Sequence, residues 1–245
     1  MVSFQNIKRN FNKALNNIHK LFKILLIKIR SYLFKNFREM SIANQVSHII
    51  KENSPEKHIS ILDVGSGFDP KIIFFITKYL SKCKKNVSAD CYDFYTEAQI
   101  SNLSSIKRDI VFQNIELLKD NNNFNSYKYG IIIDVLHHIG VDNHYDIDLA
   151  IKPLIEKCDF IIIKDHFEYG VFSRILLRLS DFVGNYSYGV TIPKNYFNES
   201  EYRKMIERNN LVEIKRVNNF RVVKKFWFFF SDPKMQFISI LKTVA

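Results

Sequence analysis

Two short segments in the second half of the chain are apolar along most of their length, and they restrict the fold more than any other feature. They are "YGIIIDVL", residues 129–136, and "DFIIIKDHF", residues 159–167. Strands that are buried on both faces have continuous apolar runs, whereas strands of a half-exposed sheet alternate. A helical pattern, "DIDLAIKPLIEKC", lies between the two segments. We therefore expect a doubly wound α/β fold, in which helices cover both faces of a parallel sheet.

The same alternation of strand and helix patterns extends over most of the chain and predicts a mostly parallel, seven-stranded sheet. The last two strands form an antiparallel hairpin in this prediction. One domain, 41–245, holds the sheet, and 167–198 is interpreted as an insertion over the sheet edge. Helices are predicted at 41–53, 71–83, 146–158, 170–183 and 199–210, and strands at 59–64, 86–94, 109–115, 129–136, 159–167, 211–220 and 235–243.

Residues 1–40 form a basic arm, with nine Lys or Arg side chains against one Glu, while the whole chain carries +11. Apolar residues recur there at steps of three and four, which predicts a basic amphipathic helix. Such a helix can lie on an anionic membrane surface, or it can pack on the domain or on a second copy while its lysines are solvated. A transit peptide or an RNA-binding arm is a weaker alternative. The apolar positions are Phe4, Ile7, Phe11, Ala14, Ile18, Phe22, Leu25 and Ile29.

The cysteines and the apolar runs indicate the compartment. Cys83, Cys91 and Cys158 lie far apart without a CxxC pair, which argues against a zinc cage and against a disulfide framework. No uninterrupted apolar run reaches the ~20 residues of a bilayer span, and no signal-peptide layout is present. We expect a cytoplasmic protein that is at most peripheral at the membrane.

The stretch "ISILDVGSGFDP", residues 59–70, indicates the ligand. Gly65 and Gly67 stand at the first strand-to-helix turn, where open parallel sheets bind ligands. Asp69 is predicted to cap the following helix, and Pro70 to be its first residue. A carboxylate at that point repels the pyrophosphate of a dinucleotide. A cationic ligand without phosphate is not repelled, and S-adenosylmethionine (SAM) is such a ligand.

Three segments carry a resemblance to a known family. "LDVGSGFD" resembles motif I of the class I SAM-dependent methyltransferases. "YGIIIDVLHHI" resembles the strand-four signature of their small-molecule branch, the methyltransferase type 11/12-like proteins. The segment from "IIIKDHF" to "IPKNYF" is similar to one bacterial group in that superfamily. The resemblance covers about residues 59–215 and departs from the family where Asp69 replaces the third glycine of motif I.

The resemblance implies a set of cofactor-binding residues. Asp90 matches the acid that takes the ribose hydroxyls, and Asp93 is the competing candidate. Asn114 and Ile115 match the pair that contacts adenine. Asp134 lies at the rim after the fourth strand. The full cofactor set is Asp63, Gly65, Gly67, Asp90, Asn114, Ile115 and Asp134.

Catalytic candidates follow the fourth and fifth strands at the rim where cofactor and acceptor would meet. His166 is the first choice for general base, because a carboxylate lies beside it in sequence and histidine titrates near neutral pH. Asp165 and His138 are the other catalytic candidates, whereas His137 is interpreted as packing against the backbone. No Cys or carboxylate lies at ligand spacing around the His137–His138 pair in sequence, so no metal site is expected.

Residues of the insertion are expected to line or cover the acceptor. The substrate candidates are Asn185, Tyr186 and Tyr188, and Asp181 and Tyr196 belong to the same segment. The alternative is that these tyrosines pack against the sheet edge.

Methyl transfer from SAM to a small-molecule acceptor, with O, N or C as nucleophile, is the function that these patterns predict. A saccharide or lipid-linked acceptor would fit a membrane-bound arm. A nicotinamide oxidoreductase would have a third glycine and no acid at the helix start. A methyltransferase that acts on bases commonly carries an Asn/Asp-Pro-Pro-aromatic motif where this chain has "DVLHHI", so a nucleic-acid substrate is disfavoured. A non-catalytic protein that kept the fold is the third alternative, and the oligomeric state stays open.

Overall fold

The computed structural model describes residues 17–18, 20–25, 28, 36–67, 70–104, 110–115, 126–140, 143–185, 191–222 and 232–244. Seven strands in these ranges form a single sheet. They are β1 His58–Val64, β2 Asn86–Asp93, β3 Ile110–Asn114, β4 Tyr127–Ile133, β5 Cys158–His166, β6 Leu211–Asn218 and β7 Gln236–Thr243.

The strand order is β3-β2-β1-β4-β5-β7-β6. Strands β1 to β5 pair in parallel, and β7 runs antiparallel to both β5 and β6. The predicted doubly wound, mostly parallel sheet with an antiparallel closing hairpin is therefore confirmed. The order reverses between β1 and β4, so the carboxyl ends of these two strands flank the crevice where such sheets bind ligands.

Helices cover both faces of this sheet. In β1, the adjacent residues Ile61 and Leu62 point to opposite faces of the sheet and belong to different core clusters. Both are fully buried, so both faces of the sheet are covered. Residues of α1 and α2 pack in the first cluster, and residues of α5 and α7 pack in the second. The helices are α1 Phe37–Asn53, α2 Lys71–Lys82, α3 Glu97–Ser104, α4 Leu136–Ile139, α5 His144–Lys157, α6 Val171–Asn185 and α7 Glu199–Arg208.

Two predicted boundaries at the ligand-binding edge are wrong. Strand β4 ends at Ile133 and not at Leu136, because Asp134 adopts a left-handed backbone (φ 54°) that turns the chain into α4. Helix α2 begins at Lys71, so Pro70 is its N-cap residue and not its first helical residue. Asp69, the predicted cap, lies outside the described residues.

The predicted basic arm lies mostly outside the described residues. Residues 20–25 are helical, and Ile18 and Leu21 are each 66% exposed. Helix α1 begins at Phe37, so the predicted domain boundary at residue 40 falls inside a helix. In the insertion at 167–198, the two ends meet where Phe167 and Phe197 form a β-bridge.

The described helices and the three cysteines can be compared with the sequence. Among the described residues, no helix is long and apolar enough to cross a bilayer. Cys83, Cys91 and Cys158 are all free thiols, of which the first is exposed and the other two are buried.

Candidate functional site

The loop between β1 and α2 requires glycine at two positions. Gly65 and Gly67 have φ values of 80° and 73°, a left-handed region that other residues rarely adopt. A Cβ atom on Gly65 would lie 2.4 Å from Cγ2 of Val135, whereas a Cβ on Gly67 would meet no atom within 4 Å. The loop therefore packs tightly on the turn after β4 at Gly65 and opens onto free space at Gly67.

Asp93 fixes this loop from the neighbouring strand. The Gly67 N–H donates to Oδ2 of Asp93 at 2.6 Å, and the Gly65 N–H donates to the carbonyl oxygen of Tyr92 at 2.8 Å. The Tyr95 hydroxyl donates to the Gly67 carbonyl at 2.9 Å. The Asp93 carboxylate thus already accepts a hydrogen bond from the Gly67 N–H, the loop amide to which a bound phosphate would be expected to bind.

Asp63 lies beneath the loop near the end of β1 and is 7% exposed. Burial raises the pKa of its carboxyl to about 7, and the nearby Asp93 carboxylate contributes to this shift. The Ser66 hydroxyl donates to the Asp63 carbonyl at 3.4 Å. This carboxyl can therefore change its charge near neutral pH when a cation binds beside it.

Asp90, which the resemblance assigns to the ribose hydroxyls, lies inside strand β2. Strand β2 continues to Asp93, so Asp90 is not at the tip of the strand but level with Leu62 inside the sheet. Its carboxylate accepts a hydrogen bond from the Tyr127 hydroxyl. Asp93, the competing candidate, stands at the strand end next to the loop.

Asn114 is the last residue of β3 and Ile115 follows it, as expected for residues at the same edge. The Asn114 side-chain amide donates to the Tyr95 carbonyl at 2.9 Å and so supports the residue that contacts Gly67. Ile115 packs against the core cluster that holds Leu62 and Val64.

Asp134 belongs to a buried ion-pair network. Its two carboxylate oxygens accept hydrogen bonds from Lys164 and from Arg38, which helix α1 supplies. Burial alone would raise the pKa of Asp134, but the Lys164 ammonium and the Arg38 guanidinium outweigh it and hold that pKa far below its usual range. Sequence analysis missed Arg38, which the composition marked only as one basic residue of the arm.

Asp165 positions His137. Its Oδ1 lies 2.6 Å from His137 Nδ1, and its Oδ2 accepts the His137 backbone N–H at 3.2 Å. The His166 N–H also donates to Oδ1 at 2.8 Å. Burial would raise the pKa of Asp165, but the positive charge that His137 carries when protonated, together with the hydrogen bond between them, outweighs it and lowers that pKa. Because Asp165 is 0% exposed, its carboxylate does not reach an acceptor directly.

His166 lies beside an ammonium as well as beside carboxylates. Its Nε2 is 3.3 Å from Lys164 Nζ, and its Nδ1 is 3.4 Å from Asp165 Oδ1 and 3.5 Å from Asp134 Oδ1. Burial lowers the pKa of His166, and the Lys164 charge lowers it further. The sequence showed the neighbouring carboxylate but not the position of Lys164.

A second histidine cluster lies between α4 and α6. His138 Nδ1 is 3.1 Å from the Thr191 carbonyl oxygen, and its Nε2 is 3.3 Å from Asn185 Nδ2. Asp181 accepts the Tyr196 hydroxyl at 2.5 Å, and its Oδ2 lies 3.6 Å from His137 Nε2. The substrate candidates Tyr186 and Tyr188 lie outside the described residues.

No metal site was expected from the sequence because no further ligand lies near the His137–His138 pair along the chain, and the folded structure does not support this reasoning. Carboxylates do surround the histidine pair once the chain is folded, because Asp165 and Asp181 come from β5 and α6. The ligand atoms of His137, His138 and Asp181 all lie within 4.8 Å of one another. A second set, Asp134, His137, Asp165 and His166, meets the same criterion.

The fold is the seven-stranded Rossmann-like fold of methyltransferases. Magnesium protoporphyrin IX methyltransferase (ChlM) from Synechocystis PCC 6803, solved with bound SAM, is similar at a TM-score of 0.54 and 13% identity, over 86% of this chain and 82% of that one. The mitomycin 7-O-methyltransferase MmcR is similar at a TM-score of 0.57 and 12% identity, over 99% of this chain and 61% of that one.

A third similar structure is described as a Zn-dependent alcohol dehydrogenase from Rhodobacter sphaeroides. Its TM-score is 0.53 at 9% identity, over 82% of this chain and 89% of that one. No family model and no curated protein matches the sequence. At these identities the likeness shows the fold alone, and the function must be argued from the site.

Proposed function

We propose that this chain is a SAM-dependent methyltransferase that acts on a small-molecule acceptor. The observation that carries the proposal is the pair of carboxyl groups, Asp63 and Asp93, at the two-glycine loop. A dinucleotide needs free amides at this loop for its pyrophosphate. Here the Asp93 carboxylate accepts a hydrogen bond from the Gly67 N–H. The Asp63 carboxyl, which ionises near neutral pH, lies near the end of β1, the strand that leads into this loop, so phosphate is repelled and a cationic ligand is favoured.

The cofactor roles follow from these positions. We assign Asp63, Gly65 and Gly67 to the methionine end of SAM. The ribose hydroxyls go to Asp93 and not to Asp90, since a ribose contact needs an acceptor at the tip of the second strand. Asn114 and Ile115 would lie beside the adenine, where the Asn114 amide also supports Tyr95.

The neighbouring structures support the same reaction type. ChlM is solved with bound SAM, and MmcR is an O-methyltransferase with a small-molecule substrate. The "YGIIIDVLHHI" segment favours the type 11/12-like branch. We propose a cytoplasmic enzyme whose basic arm, residues 1–40, contacts anionic membrane. A saccharide or lipid-linked acceptor would suit that location.

The chain's own residues would position the acceptor and take up its proton. SAM supplies an activated methyl group, so alignment of the nucleophile provides much of the acceleration. We place the acceptor beside His138, Asn185 and Asp181, with Tyr186 and Tyr188 covering it. A base is required only where the acceptor must lose a proton.

The remaining rim residues have supporting roles in this proposal. Asp165 positions His137 through both of its oxygens. Asp134 anchors α1 to the rim through Arg38, because its carboxylate is already paired on both sides. Burial and the Lys164 ammonium lower the pKa of His166 and make it a weaker base than the sequence suggested. Burial and the neighbouring His137 lower the pKa of His138 as well. We therefore assign proton uptake to the His138 cluster because the acceptor is placed beside it, and not because His138 is the stronger base.

A matched pair of variants tests the cofactor assignment. Asp93→Asn removes a charged acceptor from the loop, and we expect the affinity for S-adenosylhomocysteine to fall about 10- to 100-fold. Asp90→Asn keeps the polar contact to Tyr127 inside the sheet and should leave that affinity within about twofold, the scatter expected at a remote site. Calorimetric titration of both variants measures the difference. If Asp90→Asn weakens binding and Asp93→Asn does not, the proposed ribose contact is wrong.

A further inference from the structure

His137 presents a buried nitrogen that has no hydrogen-bond partner. The side chain is 1% exposed, and its Nε2 makes no hydrogen bond among the described residues. Its other nitrogen, Nδ1, lies 2.6 Å from the ionised Asp165 carboxylate, which can only accept, so Nδ1 carries the proton. In the neutral ring Nε2 therefore has a lone pair, and it lies 3.6 Å from the lone pairs of Asp181 Oδ2. Two such groups repel each other unless a cation lies between them.

His138 presents a second nitrogen to the same place. Its Nδ1 lies 3.1 Å from the Thr191 carbonyl oxygen, which also can only accept, so Nδ1 carries the proton there too. The lone pair is again on Nε2, where the Asn185 amide donates at 3.3 Å. The two imidazole rings are 4.1 Å apart between centroids. Two imidazoles and one carboxylate thus converge from α4 and α6.

We propose that His137, His138 and Asp181 bind a divalent transition-metal ion through the two Nε2 atoms and the Asp181 carboxylate. Two imidazoles and a carboxylate with an open fourth position form the ligand set of many catalytic zinc sites. Ligand atoms of a tetrahedral Zn²⁺ with bonds of about 2.0–2.1 Å lie roughly 3.3 Å apart. The 3.6 Å between His137 Nε2 and Asp181 Oδ2 is close to that spacing. The third ligand atom, on His138, lies within 4.8 Å of the other two.

The partners behind these ligands support the assignment. Metal-bound histidines usually donate their second nitrogen to a carboxylate or a carbonyl oxygen, which fixes the tautomer and the ring. His137 has Asp165 in that role, and His138 has the Thr191 carbonyl. The Tyr196 hydroxyl holds the Asp181 carboxylate at 2.5 Å. Each ligand therefore has the outer partner that a metal site needs.

The neighbouring cluster of Asp134 and His166 is not a competing site. Lys164 and Arg38 already pair with the Asp134 carboxylate, and the Lys164 ammonium lies 3.3 Å from His166 Nε2. A metal ion there would lie against two fixed positive charges. Among the described residues, no Lys or Arg forms a hydrogen bond or ion pair with His137, His138 or Asp181, and the Arg38 guanidinium acts on Asp181 only at longer range.

The fourth position of this ion would be open to the acceptor that we place beside His138, Asn185 and Asp181. An acceptor hydroxyl bound there would have its pKa lowered, so it would lose its proton to water near neutral pH. A metal-bound His138 cannot take up a proton, so with the ion bound this step would replace proton uptake by the His138 cluster. This catalytic role rests on the proposed methyltransferase function, but metal binding itself does not.

Zinc titration of the untagged, chelator-treated full chain tests the site. We expect one equivalent of Zn²⁺ to bind, as measured by competition with a chromophoric chelator. His138→Gln and Asp181→Asn should each weaken that binding by about 100-fold or more, because loss of an outer-shell partner alone costs 10–100-fold. The matched controls are His144→Gln and Asp159→Asn, at exposed positions on α5 and β5. They should bind Zn²⁺ as the wild-type chain does.

Two results would overturn the metal site: no stoichiometric zinc binding by the wild-type chain, or equal weakening by the controls and the ligand variants. In that case a proton on His137, held between Asp165 and Asp181, is the cation. Titration of the same samples with S-adenosylhomocysteine keeps the two proposals separate. If S-adenosylhomocysteine does not bind to a chain that binds zinc, the proposed function is wrong and the metal site is still supported.

Discussion

Asp63 is buried, and its carboxyl can gain or lose a proton near neutral pH. Burial raises the pKa of its carboxyl to about 7, far above the ordinary value of about 3.9. In the ligand-free chain the neutral, protonated form of Asp63 is favoured. Its contribution to the free energy of unfolding is fully present below about pH 4 and is lost as the pH rises through 7. A bound ammonium reverses the preference, because it stabilises the carboxylate.

The affinity for SAM should therefore rise with pH. A carboxyl with a pKa of about 7 is about one-tenth ionised at pH 6 and about nine-tenths ionised at pH 8, so we expect roughly tenfold tighter binding at pH 8. Asp63→Asn should bind weakly, and its remaining pH dependence reports the titration of the ligand. Calorimetric titrations at pH 6 and pH 8 measure the difference. A wild-type pH dependence no steeper than that of Asp63→Asn would contradict this role.

Residue positions at the site were predictable only where local sequence decides them. Gly65 and Gly67 follow from the turn, and both adopt the backbone that the turn requires. Asp90 was chosen over Asp93 by the resemblance, although the predicted strand 86–94 already placed Asp90 inside β2; the strand ends at Asp93, which pairs with Asn114 of β3. The contacts of His137 were not predictable, since Asp165 and Asp181 join it from distant elements.

At the scale of elements, most predicted helices and strands were confirmed to within a few residues at each end, and the clearest error is the end of β4. The α7 pattern, "ESEYRKMIER", begins after Asn198, which forms a capping box with Glu201. By contrast, β4 ended early because Asp134 turns the chain while Lys164 and Arg38 hold its side chain. Local propensity predicts a capped helix, whereas an ion pair across the sheet leaves no local pattern.

The capping box gives a prediction at this scale. Asn198 Oδ1 accepts the Glu201 N–H at 2.9 Å, and Glu201 Oε2 accepts the Asn198 N–H at 3.0 Å. Asn198→Ala should lower the free energy of unfolding by about 1 kcal/mol, because it removes an N-cap acceptor. Asn198→Asp keeps the acceptor and should stay close to wild type. Chemical denaturation measures both variants, and equal stability of Ala and Asp would rule out the cap.

At the scale of the whole molecule, the sequence predicted the sheet and its coverage because buried strands carry a continuous apolar signal. It predicted less about how the arm meets the domain. Arg38 lies within the predicted arm, yet its side chain pairs with Asp134 at the rim. The functional boundary of the arm therefore lies before helix α1, which begins at Phe37.

Deletion of residues 1–35 separates the arm from the site. It removes eight Lys or Arg and no acid, and each such charge near an anionic surface contributes about 1 kcal/mol to membrane binding. We expect the truncated chain to lose sedimentation with phosphatidylserine vesicles and to keep its affinity for S-adenosylhomocysteine. Phosphatidylcholine vesicles are the uncharged control. Equal sedimentation of both chains would show that the arm does not bind membrane.

Equilibrium titration of the full chain with SAM, S-adenosylhomocysteine and NADH distinguishes the proposed cofactor from a dinucleotide. The carboxyl groups at the two-glycine loop should admit the first two ligands at one equivalent and exclude the third, whose pyrophosphate they repel. Binding of NADH without binding of SAM would contradict the account.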